Sequence, residues 1–290
     1  MRKRIFSCIL LAVLVFSLSG CGPTILQGED EGTSESGQET EENTEENVEE
    51  NTTTEATGES ADELLAKLEH YCEEMDAEQL PEENQWVSAY AEQVLYLMEA
   101  YKERCEEIDI AFKYKQYYFN LIYLNEDDIP ELVAGPLGQV SIYTYEAGEA
   151  GTSNSGTLHT VMDQWGYGGS GNYGYDYLPG KNVIYNLNVD HAGAIRYLSY
   201  LSMNEEYELD GFVLRYDYVD EDGNAFWGQN DEESEPLINY YYICDDTERE
   251  LSKKEFDSYQ IQGDYASVVD TKNCLEIMEK LYQYYLTFGK

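Results

Sequence analysis

The chain predicts an α+β fold made of an N-terminal helical pair, an antiparallel β meander and a C-terminal helix. Three observations carry this reading. Apolar residues recur at helical spacing over 61–110 and again near the C-terminus. From Tyr117 onward the period changes to short β-branched and aromatic runs. Turns bearing Gly, Asn and Asp separate those runs, as sequential antiparallel pairing requires.

The elements follow in order. Ser60 and Glu63 have capping-box spacing, and Leu64, Leu65, Leu68, Cys72 and Met75 then share one helix face. Pro81 suits the first turn of a second helix, whose stripe is Val87, Tyr90, Ala91, Val94, Met98, Tyr101 and Cys105. The stripe reads as core packing rather than as a ligand surface. Strands are expected at Tyr117–Leu124, Glu131–Ala134, Val140–Glu146, Thr157–Met162, Tyr173–Leu178, Val183–Val189, Ile195–Met203, Phe212–Tyr218 and Ile238–Cys244. Pro179-Gly180-Lys181-Asn182 forms a tight turn between two of them. Ser252 and Glu255 cap a short helix. A last helix runs from about Lys272 to Leu286, with Leu275, Met278, Leu281, Tyr282 and Tyr285 on one face. The meander therefore occupies 117–250 and the closing helices 252–288 of a single domain, 61–290.

The segment before that domain has a different character. Arg2, Lys3 and Arg4 precede an apolar run from Ile5 to Leu18 that only Ser7, Cys8 and Ser17 interrupt. The run is short for a membrane span, which needs roughly 20 residues, and fits a secretory signal. It ends in Leu18-Ser19-Gly20-Cys21, which resembles the lipobox of bacterial lipoproteins. The resemblance implies cleavage after residue 20 and diacylglycerol on the Cys21 thiol, an anchor whose two acyl chains hold stably to the bilayer. An ordinary secretory signal with an accidental Cys is the weaker reading. Residues 22–60 hold 13 acids and no Lys or Arg, with Glu-Glu-Asn repeated at a period of four. Such a stretch cannot bury enough apolar area to fold, so 21–60 is expected to be a disordered acidic tether reaching at most about 130 Å. A solvated spacer is preferred to a calcium store.

The whole chain carries 59 acids against 17 bases, a formal net charge of −42. Within 61–290, 46 acids against 14 bases leave −32. That surplus argues against nucleic acid as a partner and against docking to anionic lipid through basic residues. It favours neutral glycans, cationic peptides or basic protein surfaces.

Residues 119–135 read Phe-Asn-Leu-Ile-Tyr-Leu-Asn-Glu-Asp-Asp-Ile-Pro-Glu-Leu-Val-Ala-Gly, and 177–184 read Tyr-Leu-Pro-Gly-Lys-Asn-Val-Ile. Both segments resemble a group of uncharacterised Firmicutes surface lipoproteins with an acidic-turn Ile-Pro-Glu-Leu hairpin. The first is also distantly similar to FG-GAP-type calcium-decorated repeats. The resemblance implies a fold type and a cell-surface address, and no activity.

Calcium is the one cofactor to weigh; otherwise none is expected. An EF-hand loop needs oxygen ligands at positions 1, 3 and 5, Gly at 6 and Glu at 12. With Asn125 at position 3, the first acidic turn places Tyr123 at 1, Asp128 at 6 and Ala134 at 12. The second, Asp220-Glu221-Asp222-Gly223-Asn224, has Gly at 6 but Tyr218 at 1 and Gln229 at 12. Both read better as plain acidic turns. A shorter loop leaves Asn125, Asp127 and Glu131 as the candidate metal set.

No catalytic residue is assigned. The chain has no His-Glu-x-x-His, no Gly-x-Ser-x-Gly and no phosphate-binding Gly-x-x-x-x-Gly-Lys. His70 reads as solvated and His159 lies in a strand. Asp190 and His191 occupy a Gly-bordered turn, where neighbours in an extended strand would point to opposite faces. The stretch Gly166–Tyr175 reads first as a tight Gly-rich crossing over the sheet. Its alternative is a mobile loop whose rings stack on a ligand, with Trp165, Tyr167, Tyr173 and Tyr175 as the ligand-facing set and His191 added from the turn. Cys72, Cys105, Cys244 and Cys274 allow three pairings or free thiols, and a direct Cys72–Cys105 bridge fits a simple helical hairpin poorly. The expected protein is thus extracytoplasmic and lipid-anchored, with a non-catalytic binding or scaffold domain for a glycan, peptide or surface protein. The rivals are an extracytoplasmic hydrolase acting on wall polymer or nutrient, and an accessory subunit of a surface complex.

Overall fold

The computed structural model describes residues 60–148, 156–169, 171–226, 236–245 and 247–289. The signal segment, Cys21 and the acidic stretch to residue 59 lie outside them. Helix α1 (Ala61–Glu74) opens on the expected capping box: the Ser60 hydroxyl accepts from Glu63 N at 3.2 Å, and the Glu63 carboxylate accepts from Ser60 N at 3.0 Å. Helix α2 (Trp86–Glu107) starts later than Pro81 suggested. Pro81 instead leads into a 3-10 turn, Glu82–Asn84, whose Asn84 N donates to the Pro81 carbonyl at 2.8 Å. The start of α2 is tied back to the end of α1 by the buried Ser88 hydroxyl, which donates to the Met75 carbonyl at 2.6 Å.

The meander is divided between two antiparallel sheets. The first has the order β1 (Tyr117–Ile122), β2 (Glu131–Pro136), β3 (Gln139–Glu146), β4 (Thr157–Gly166). The second contains β5 (Asn172–Leu178), β6 (Val183–Asp190), β7 (Ile195–Met203), β8 (Leu209–Val219), β9 (Leu237–Cys244) and β10 (Thr247–Leu251). There β11 (Ala266–Ser267) flanks β5, giving the order β10-β9-β8-β7-β6-β5-β11. Helix α3 (Lys253–Tyr259) follows β10 on a second capping box, Ser252 with Glu255, and α4 (Cys274–Phe288) closes the chain on the Asn273 cap. Every expected strand forms. Strand β10 escaped the sequence reading because Thr-Glu-Arg-Glu-Leu carries only one apolar residue. As an edge strand it is blunted by its charges.

The first sheet is buried on both faces, which the strand period of two makes possible. Phe119, Leu121, Leu132, Ala134 and Tyr143 pack under α1, α2 and α4. Tyr118, Ile122, Val133, Ile142 and Met162 face the other way, onto Tyr175, Ile184 and Val268. The second sheet turns its opposite face to α3, where Phe256 seats against Tyr216 and Tyr240.

The two sheets are joined where the chain crosses from β4 to β5. Gly171 has φ +86°, and a side chain there would place its Cβ 2.0 Å from the Val189 carbonyl oxygen. Its own carbonyl accepts from Val189 N at 2.9 Å. The Asn172 side chain accepts from Gly174 N at 3.0 Å and from Asn186 Nδ2 at 2.7 Å. The Gly-rich run is therefore a crossing between two sheets, where the sequence reading had a crossing over one.

A second junction lies at the acidic turn. Glu131 is fully buried, and its Oε2 accepts from Leu124 N at 2.8 Å, while Oε1 has no hydrogen-bond partner. The Tyr123 and Leu124 carbonyls accept from Gly180 N at 2.9 Å and Asn182 N at 2.6 Å, in the β5–β6 turn of the other sheet. The Asn182 side chain in turn bonds both backbone groups of Met203, at 2.7 and 2.9 Å. Burial pushes the Glu131 carboxyl up to about 7, and nearby Asp127 adds to the rise. The fold thus favours the protonated form. Its contribution to stability is complete below the ordinary pKa of 4.5 and is lost as the pH rises through about 7. Glu131→Gln, which cannot ionise, should gain on the native chain by on the order of 2–3 kcal/mol between pH 4 and pH 8. Urea midpoints at the two pH values measure the gap, and a gap that does not widen contradicts the buried charge.

Candidate functional site

The proposed aromatic set divides on inspection. Tyr175 is 7% exposed and belongs to the core between the sheets, with Trp165 edge-to-face at 6.1 Å and Tyr167 packed alongside. Tyr173 is 71% exposed. Tyr173 and Tyr175 would share a face in a regular strand, but a register shift between Asn172 and Tyr175, with Gly174 at φ +111°, separates them. Three of the four rings are therefore packing residues, which corrects the expectation of a joint ligand platform. His191 also departs from its expected orientation. It sits in a left-handed conformation (φ +48°) just past β6, so Nδ1 lies 3.3 Å from Asp190 Oδ2. The opposite-face argument fails because the strand ends at Asp190.

The candidate metal ligands are engaged with the chain itself. Asn125 Nδ2 donates to Asp127 Oδ2 at 2.7 Å, Asp127 Oδ1 accepts from Ile129 N at 2.9 Å, and Glu131 holds Leu124. Asp220 likewise accepts from Asp222 N at 3.0 Å and Asn224 N at 2.8 Å. Those backbone donors hold its carboxyl below the ordinary range. Both loops are Asx turns closed by their own side chains. Among the described residues no group of three or more His, Cys, Asp or Glu is arranged to hold a metal ion.

The histidines outside that turn also have local roles. His70 lies 3.5 Å from Glu74 on the exposed side of α1. His159 stacks on Tyr207 at 3.9 Å and places Nε2 2.9 Å from Glu146 Oε2, linking β3 and β4 to the β7–β8 turn. Cys72, Cys105, Cys244 and Cys274 form no disulfide. Burial and three neighbouring glutamates push the Cys72 thiol up to about 12, which makes it a poor nucleophile.

The surface best built for recognition lies on the face of the second sheet that α3 does not cover. Asn188, Tyr197, Arg215, Tyr241 and Glu250 stand directly opposite one another across β6, β7, β8, β9 and β10. None of the five belongs to a packed core. Arg215 is fixed at the centre of this stripe. Its Nε donates to Asp217 at 3.0 Å, its Nη1 and Nη2 take Glu248 at 2.6 and 3.2 Å, and its guanidinium lies 4.1 Å over the Tyr241 ring. Pairing and stacking together hold the stripe in one geometry. Sequence reading missed it because β7 and β9 carry aromatic rings on both faces, so their period does not say which residues stay wet. The register of β8 against β9 also depends on a long connection. Elsewhere, a cleft of about 570 Å³ opens between the β5–β6 turn and residues 261–264, walled by Leu178, Val183 and Ile261.

The chain matches no protein-family model, no curated protein and no solved structure.

The division of the aromatics has a direct consequence. Tyr175→Ala should destabilise the domain by about 3–5 kcal/mol, as loss of a large buried ring does, while Tyr173→Ala should leave the thermal midpoint within about a degree. Thermal unfolding of both variants distinguishes a core residue from a surface one.

Proposed function

We propose that this chain is a lipid-anchored protein of the bacterial cell surface, held to the bilayer through Cys21. Its α+β domain is a non-catalytic binding or scaffold module for a neutral glycan, a peptide or another surface protein. The stripe Asn188–Tyr197–Arg215–Tyr241–Glu250 supports this reading. Half-buried tyrosine rings on an open sheet face offer apolar faces to sugar C–H groups or peptide side chains, and keep their hydroxyls wet. Planar amide, guanidinium and carboxylate groups beside them supply donors and acceptors at fixed positions. Ordering such a surface in advance lowers the cost of binding. The lipobox-like Leu18-Ser19-Gly20-Cys21 supports the address.

A panel of neutral oligosaccharides and cationic peptides, titrated against the full chain, tests the reading. Tyr197→Ala with Tyr241→Ala should weaken the best binder at least about tenfold, as loss of central aromatic anchors does, without lowering stability by more than about 1 kcal/mol. Unchanged affinity in the double variant rejects this surface. In the same preparation, Cys21→Ser should move the protein from the membrane fraction to the soluble one. Retention in the membrane rejects the anchor.

A further inference from the structure

Basic side chains are few in this chain, and those on the second sheet and its flanks are characteristically paired with acids. Arg215 holds Asp217 and Glu248, Arg249 lies near Glu255, and Lys253 holds Asp257. Arg196 is different. It stands on β7, on the α3 side of the second sheet, directly opposite Val189 of β6 and Tyr216 of β8. Among the described residues no carboxylate comes within ion-pair distance of it. Its Nη1 donates to the Tyr216 hydroxyl at 3.3 Å, and its guanidinium carbon lies 5.9 Å from the rings of both Tyr216 and Tyr218. Those rings meet edge-to-face at 5.6 Å, forming a corner around the cation. Nε is buried and has no hydrogen-bond partner. Among the described residues Nη2 makes no hydrogen bond either.

Nε–H and Nη2–H point in parallel from one edge of a guanidinium and match the two oxygens of a carboxylate. A buried donor on a charged group is costly to leave unpaired. The apolar surface beside that edge continues across the strands: Tyr218 pairs directly with Ile238, which is 38% exposed. We infer that Arg196 is a binding site for a carboxylate carried on a ring or apolar body. One carboxylate oxygen takes Nη2–H, the guanidinium turns to bring the buried Nε–H onto the other, and the body lies on Tyr218 and Ile238. The domain's net charge opposes an approaching anion, but salt screens that repulsion beyond about 8 Å. At contact the rings exclude water and strengthen the local pair. Adjacent strand residues point to opposite faces, so this site is separate from the stripe through Tyr197 and does not depend on that reading.

Side-chain Nε–H resonances of the 15N-labelled full chain report on the site directly. Titration with N-acetyl-phenylalanine should shift the Arg196 Nε–H signal saturably, and the corresponding amide, N-acetyl-phenylalaninamide, should not. Arg196→Lys keeps the charge and loses the fork, and should weaken binding at least about tenfold, followed on the Tyr218 backbone signal. Ile238→Asp, at an exposed position, should weaken it similarly by removing the apolar seat and adding a like charge. Tyr197→Ala with Tyr241→Ala should leave it unchanged. Equal response to acid and amide overturns the inference, as does undiminished binding in either Arg196→Lys or Ile238→Asp.

Discussion

The bond from Leu124 N to the buried carboxylate of Glu131 is the contact on which the arrangement of the two sheets rests. It holds the end of the acidic turn so that the Tyr123 and Leu124 carbonyls meet the β5–β6 turn. Asn182 carries the connection on to Met203 at the end of β7. The two segments that look most like motifs, 119–135 and 177–184, are therefore the two halves of one clasp. Their common role is to join sheet to sheet. The carboxylate makes the clasp sensitive to pH, because an ionised Glu131 sits in the apolar layer with one oxygen unsatisfied.

This constraint decides which surfaces remain for recognition. With helices on one face of the first sheet and the second sheet on the other, β1 to β4 keep little open face. The α3 side of the second sheet is filled by an aromatic ladder: Tyr200, Phe212 and Tyr242 stack in succession at 5.3 Å, and Tyr259 caps Tyr242 at 4.9 Å. Much of the chain's tyrosine content thus works as packing whose hydroxyls reach the edge of the core. What stays open is the opposite face over β7 to β9, where Arg215 is fixed between acids and a ring, and the margin of the α3 side around Arg196.

The α+β class, both Ser capping boxes, nine strands and the terminal helix were legible in the sequence, because capping chemistry and the switch from helical to alternating period are local signals. The division of the meander into two sheets was not. It is decided by the Gly171 crossing, where a close backbone approach at positive φ cannot be read from glycine content alone. The aromatic set failed for a related reason. A register shift at Gly174 sends Tyr175 inward and Tyr173 outward, and composition cannot distinguish the two. Glu131 looked like a metal ligand because an acidic turn precedes it. Its burial, and the amide it satisfies, follow only from where Leu124 comes to lie. Arg196 and Arg215 are equally basic in sequence, and only the cross-strand register shows that one is paired and the other is not.

The most direct measurement of this account is the ionisation of Glu131 itself, followed through the 13C chemical shift of its side-chain carboxyl across pH 3–9. A midpoint about 7 places the group in the dry layer between the sheets, as the clasp requires. A midpoint at the ordinary 4.5 would mean that water reaches the carboxylate, and would contradict a buried junction between the two sheets.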